Sequence, residues 1–473
     1  MRSLPGTLWR ARFSVIPPRS RPSRPRLLSL VPSAARSVPA RSQLVIFRHV
    51  ADPSNSKKRS ITARDAAGHF SPNRPIQGLT HRSYSPRLTE VLVAAAVVAP
   101  FDQAVRLVHQ ILGVRISARH LQNLASEVGT ELARKRDERT SKFRDLPLNT
   151  PRRQAEPPIP LACVMVDGGR MRTRAACSSP GVHDPRWRET KTAVLLRMTD
   201  VGTGEDPHPE LPHCFATPMT ARDKTTDEPS TTSTESSPKP KPPSGPRPRW
   251  SPEPILKTGV ASLADSDTFG WMVAAEAEQR GFHAATKGAF VADGQSYNWA
   301  IQRRHFPKHT PILDFMHAAE HLYEAASALN DTSLGRTWTE ACWQGNVEAV
   351  IAELRQRLDN VERPPEPAES PGHVWCVLDR TIGYLESNLS RMRYPEYRQA
   401  GLPLTSSPVE SWIKQLNQRV KGSEKFWEDG RRGEAILQLR TAWQSEDESL
   451  DKHLRDRAGH PWSKPPKPKS LAA

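Results

Sequence analysis

No two of the five cysteines (Cys163, Cys177, Cys214, Cys342, Cys376) form a CxxC pair, so neither a disulfide framework nor a zinc finger is written in the chain. Scattered in this way they read as reduced, buried thiols of a cytoplasmic protein. Also missing is any run near the ~18 apolar residues that a membrane span requires. The longest candidate, Val91–Ala99, is far too short, which excludes an integral membrane protein. Acidic residues are absent from Met1–Ala51, where ten arginines supply ten of the net seventeen positive charges. The rest is mildly basic. Proline, by contrast, is abundant: 45 in 473 residues, close to twice the ~5% average, so part of the length is not packed. An excess of 68 Lys and Arg over 51 Asp and Glu favours a polyanionic partner.

Residues 1–86 read as a basic arm and a polar linker. Met1–Ala51 resembles a mitochondrial transit peptide in composition, and competes with readings as a basic disordered arm or as translation from an upstream start. From Arg87 to about Glu138, apolar residues recur every three to four positions (Leu88, Val91, Ala95, Val98; Val105, Val108, Leu112; Leu121, Leu124, Val128, Leu132) and predict three amphipathic helices within 87–150. A Gly C-cap at Gly113 and a Ser N-cap at Ser117 bracket a tight turn. In a basic protein this is a helix-turn-helix-like arrangement, with Arg119, His120, Gln122 and Asn123 on the groove-reading helix. A plain helical bundle or dimerisation unit stays open beside it. Next, Leu161–Val166, Thr190–Thr199, Gly259–Leu263, Gly288–Ala292 and Thr310–Leu313 read as strands alternating with helices at Thr268–Arg280, Tyr297–His305 and Asp314–Leu329, which means α/β layering. Pro218–Lys257 is too poor in large apolar residues to fold and reads as a disordered excursion. Residues 331–405 are mainly helical, Ser407–Lys421 is a further strong helix, and 459–473 is a basic tail.

Asp167 and Asp293 each follow an apolar run and precede Gly, which puts two carboxylates at strand ends, where open α/β sheets place their sites. Asp-Gly alone is also a turn signal, so a third acid matters. Ser407-Pro408-Val409-Glu410 has the form of an N-cap Ser, a Pro at the first helical position and a Glu at the third, so Glu410 reads as a capping residue or as a ligand. Along the same helix, Val409, Ile413, Leu416 and Val420 share one face, while Glu410, Lys414, Asn417 and Lys421 make a polar stripe suited to a cation at its first turn and a phosphate backbone beyond it. That stripe can equally be a solvated face. Asp314 is a candidate N-cap, and with His317 and His321 on its face it fits a divalent metal as well. Two Asp on strands and one acid on a later helix are the parts of two-metal phosphoryl transfer.

These residues resemble the DDE transposases of bacterial insertion sequences, of the Kra type related to Mutator-like elements. The resemblance is carried by Val166-Asp167-Gly168-Gly169-Arg170, Trp187-x-Glu189-x-Lys191, Val291-Ala292-Asp293-Gly294 with Trp299, Ile312-Leu313-Asp314-Phe315-x-His317-Ala318, Ser407-Pro408-Val409-Glu410-Ser411 and Asn417-x-Arg419-x-Lys421-Gly422-Ser423-x-Lys425-Phe426-Trp427. It implies a ribonuclease-H-like mixed sheet with flanking helices, split into a first core part over 158–330, a helical insertion over 331–405 and the last core helices over 406–445. It further implies that Asp167, Asp293 and Glu410 hold two Mg²⁺ or Mn²⁺ ions, that Asp314 and His317 form a supporting motif, and that Arg170, Lys414, Asn417, Arg419, Lys421 and Lys425 face double-stranded DNA, with Arg119 and Asn123 in the helical region. The expected activity is cleavage of element ends and strand transfer by a homo-oligomer on DNA, at the nucleoid of a bacterial cytoplasm. A structure-specific nuclease and an inactive or domesticated DNA-binding protein are the competing functions.

Overall fold

In a computed structural model of the chain, the described residues are 84–147, 149–174, 186–217, 251–366, 370–422 and 425–457. The arginine-rich arm, the linker up to residue 83, positions 218–250 of the expected excursion and the basic tail lie outside them. In chain order the elements are α1 (Pro86–Val98), α2 (Phe101–Leu112), α3 (Ala118–Arg144), β1 (Leu161–Arg172), β2 (Trp187–Met198), β3 (Pro254–Ser262), α4 (Ser266–Arg280), β4 (Lys287–Ala292), α5 (Ser296–His305), β5 (Thr310–Leu313), α6 (Phe315–Ala328), α7 (Thr332–Trp343), α8 (Val347–Leu358), α9 (Val374–Asn388), α10 (Tyr394–Gln399), α11 (Ser407–Val420), α12 (Gly430–Gln444) and α13 (Ser449–Asp456). Pro254–Lys257, expected within the excursion, open β3 instead.

The strands form one mixed five-stranded open sheet in the order β3-β2-β1-β4-β5, an α/β fold. β1 runs antiparallel to β2 and parallel to β4, and β5 continues parallel to β4. Every residue from Leu161 to Val166 is fully buried. Successive side chains point to opposite faces, so both faces of β1 are covered, which is why this stretch is apolar without alternation. β1 does not stop at Val166 as the sequence suggests. Beyond the last pair with β4 it keeps pairing with β2 as far as Arg172 opposite Trp187, a two-stranded ribbon that leaves the sheet.

The two predicted caps of the α2–α3 turn are present: Gly113 is left-handed with φ 67°, and the Ser117 hydroxyl accepts from His120 N at 3.2 Å. The following helix runs for 27 residues, however, well beyond a short groove-reading helix. Its face packs on α12 so closely that a Cβ on Gly129 would lie 2.0 Å from Ala435 O. Arg136 donates to Glu434, which also accepts from Ser262 Oγ and Leu263 N, so one buried polar group ties α3, α12 and the end of β3. Leu92, Leu121, Val128, Leu416, Val420 and Leu437 belong to one hydrophobic cluster, which joins α1–α3 to α11 and α12. Of the four described cysteines, Cys163 and Cys342 are buried as expected, whereas Cys376 is half-buried and Cys214 exposed; Cys177 lies outside the described residues.

Candidate active site

Three parallel strands are in register at one edge of the sheet, where β4 and β5 end and β1 runs on. Val166 pairs with Ala292 and Ala292 with Leu313, and the next residue on each strand is an aspartate: Asp167, Asp293 and Asp314. Strands ~4.8 Å apart therefore present three carboxylates side by side at the C-terminal edge of the sheet. Asp167 is within β1, at the point where its partner β4 ends, and its Oδ1 accepts from Gly168 N at 2.6 Å.

Asp293 is held by its own turn. Its Oδ1 accepts from Gln295 N at 3.2 Å and from Asn298 Nδ2 at 2.9 Å, and Oδ2 accepts from Gln295 Nε2 at 2.9 Å. From the helical stretch, Tyr384 Oη donates to Asp293 O at 3.0 Å. Gly294 takes φ 96°, and a Cβ there would lie 2.8 Å from the Tyr384 ring, so the close approach of α9 requires glycine.

Asp314 has no exposed surface and is the N-cap of α6, accepting from Met316 N at 3.0 Å. Its Oδ2 accepts from His317 Nδ1 at 2.6 Å and from Ser406 Oγ at 2.5 Å, while Ser406 Oγ also lies 3.2 Å from Glu410 Oε1. One ligand atom each from Asp314, His317 and Glu410 lies within 4.8 Å of the others, a partly buried group that can hold a metal ion. Its third member is Glu410 and not His321, whose ring lies tilted against that of Tyr384 with centroids 4.0 Å apart. The expected capping box does not form. The N-cap of α11 is Ser406, not Ser407, and it makes no side-chain cap bond because its hydroxyl is turned to the acids. Sequence reasoning missed Ser406, Asn298 and Tyr384: Ser406 and Asn298 stand four and five residues from Glu410 and Asp293, a proximity that could have marked them, whereas Tyr384 meets Asp293 O across 91 residues.

The electrostatics join the two halves of the edge. Burial, then the charge of Asp293 and, less strongly, that of Glu410 push the Asp167 carboxyl up to about 6, against its bond from Gly168 and the pull of His317. Burial alone would depress His317, but its bond to Asp314 and the surrounding acids carry it up to about 9. Among the described residues no Lys or Arg forms an ion pair with Asp167, Asp293 or Glu410. The edge therefore gathers carboxylates around the single imidazole of His317, a set of side chains that can hold a metal ion.

The expected DNA-facing residues divide. Arg170 on the β1 ribbon and Lys414 and Lys421 on the α11 stripe are exposed, Asn417 is half-buried, and Arg119 and Asn123 are exposed on the first turns of α3. Lys425 is half-buried and donates to Gln418 O. Arg419 corrects the sequence reading: it is 3% exposed, donates from Nε to Ala96 O at 2.8 Å and lies over the rings of Phe101 and Trp427. It faces the interior because its neighbours Leu416 and Val420 dock α11 on the helical region, and it caps the last turn of α1.

No family model matches the chain, and no curated protein matches its sequence. Among the described residues no helix is long and apolar enough to cross a membrane.

Proposed function

We propose that the chain is a DNA transposase of the DDE kind, with a ribonuclease-H-like core, that cleaves double-stranded DNA at element ends and joins the freed 3′-hydroxyl to a target. The single observation that carries the reading is the acid edge: Asp167 and Asp293 at neighbouring strand ends, coupled to Glu410 on a helix some hundred residues later. Strand order and direction, with β1 antiparallel to β2 and parallel to β4, agree with such a core. Asp167, Asp293 and Glu410 would hold the divalent ions, which supply activation of a water or 3′-hydroxyl and neutralise the leaving oxygen. Gln295 and Asn298 fix the direction of Asp293, and Ser406 fixes that of Glu410. The His317 imidazolium adds a positive charge beside the phosphate path. Arg170, Lys414, Asn417 and Lys421 offer backbone contacts on the same chain, which would act as a homo-oligomer at the bacterial nucleoid.

A specific observation favours a second reading. Asp314, His317 and Glu410 meet without Asp167, which suits a single-ion nuclease that hydrolyses and does not join. One experiment separates them. With Mg²⁺ or Mn²⁺ and a duplex carrying the ends of the DNA segment that encodes it, the full chain should give both nicked and strand-transferred products, and Asp167→Asn should abolish both while keeping DNA binding. Nicks without joined products establish the nuclease; no metal-dependent product from the wild-type chain refutes both.

A further inference from the structure

Near the Asp293 turn stand two cations that, among the described residues, are ion-paired to no carboxylate. Arg391, in the 3-10 turn Leu389–Arg391, lays its guanidinium over Trp299 with Cζ 4.5 Å from the ring centroid. Its Nη1 donates to Ser387 O at 2.9 Å and to Asn388 Oδ1 at 3.3 Å. Asn388 Oδ1 also accepts from Trp299 Nε1 at 3.0 Å, and Asn388 Nδ2 donates to the carbonyl of Tyr384, whose hydroxyl reaches Asp293 O. The guanidinium is therefore fixed by neutral groups and linked through them to the candidate active site. Arg303 follows Trp299 by four residues on α5, so it stands one turn further along the same face, exposed.

Among the described residues neither Arg303 nor Arg391 forms an ion pair with a carboxylate. Burial, then the charge of Arg303, push Arg391 below its usual value. A half-buried guanidinium held rigid beside a second cation is electrostatically incomplete, and what completes it is an anion. α5 rises ~1.5 Å per residue, so Arg303 lies on the order of 10 Å from the start of the helix that follows Asp293. That is the reach of a nucleic-acid backbone lying across the site.

Building on the DNA reading above, we infer that Arg391 and Arg303 form a clamp for a backbone phosphodiester of the DNA strand entering the Asp293 side of the site, with no part in reading bases. The test uses the full chain with divalent ions chelated and random-sequence duplex, binding being measured from ~50 to ~200 mM salt. Arg303→Ala and Arg391→Ala should each weaken binding roughly 5- to 10-fold near 0.1 M salt and flatten the salt slope by about 0.9, and Arg391→Lys should keep most of the slope. Among the described residues the Arg303 side chain makes no hydrogen bond or ion pair, so Arg303→Ala keeps the test decisive if Arg391→Ala unfolds. Unchanged affinity and slope in Arg303→Ala overturn the clamp. So does inorganic phosphate that stabilises the wild-type chain and not the double variant while all salt slopes stay equal, since the pair then takes a free anion. A wild-type chain that binds no DNA at all sinks the transposase reading instead.

Discussion

Asp167 weakens the fold that carries it. Its carboxyl sits at about 6, above the ordinary ~3.9, because burial and two neighbouring acids disfavour the charge. A folded-state value above the unfolded one means that the ionised group costs stability at neutral pH. The cost is full above about 6 and shrinks as pH falls below it, where the folded chain binds a proton that the unfolded chain takes up only at ~4, and it is gone once pH is below that. With ions chelated, Asp167→Asn should therefore be more stable than wild type at pH 7.5, by on the order of 1–3 kcal/mol, and the gap should close towards pH 4.5. Adding Mg²⁺ should reverse the ranking, since only the wild-type cluster gains a bound ion. Thermal unfolding at both pH values with and without Mg²⁺ checks this, and a less stable Asp167→Asn at pH 7.5 would make the carboxylate structural. His317 has the opposite sign. Its bond to Asp314 stabilises the chain fully below ~6.5 and is lost progressively as pH rises from there through about 9, a contribution that wild type and Asp167→Asn share and that largely cancels in the difference between them.

At the scale of elements, α11 was half legible. Its period of three to four named Val409, Ile413, Leu416 and Val420 as the docking face, and all four are buried. The same pattern could not say that Arg419 turns inward, because its partner, the carbonyl of Ala96, lies 323 residues away in sequence. Strand β1 shows the same limit. Its apolar start was plain, but from Gly168 to Arg172 the strand has lost β4 and pairs with β2, while Met171 is buried and Arg172 O accepts from Trp427 N at 3.0 Å, partners distant in sequence that no local pattern reveals. The neighbouring order of Asp167, Asp293 and Asp314 is a matter of register, which no local pattern contains. Arg419 gives the element-scale prediction. Arg419→Ala uncaps α1 and removes the guanidinium from the Phe101 and Trp427 rings, so it should cost about 2–4 kcal/mol. The salt slope of DNA binding should stay unchanged, measured well below the lowered melting temperature. A flatter slope with full stability would return Arg419 to the DNA-facing set.

Taken whole, the chain concentrates its positive charge in one stretch of its sequence. Ten of the seventeen net positive charges stand in Met1–Ala51, while the helices α1–α3 share a hydrophobic cluster with α11 and α12 and so ride on the body that bears Glu410. Two different contributions to DNA binding follow from that arrangement. A stretch of like charge attracts any backbone by releasing its counterions, with a strength that falls linearly in the logarithm of salt. Discrimination needs groups that reach base edges, and the exposed Arg119 and Asn123 at the start of α3 are of the types that bond to guanine and adenine. Deleting residues 1–51 should thus lower affinity for element ends and for random duplex by the same factor, and flatten both salt slopes. Arg119→Ala with Asn123→Ala should leave random-duplex affinity within about threefold and cut the preference for element ends by on the order of ten- to a hundredfold, the value of one or two base contacts. Competition binding with both duplexes across a salt series reads the two effects apart. If the paired substitution lowers both affinities in equal proportion, α3 supplies only backbone contacts or a dimer face, and the preference for ends must come from another surface of the chain.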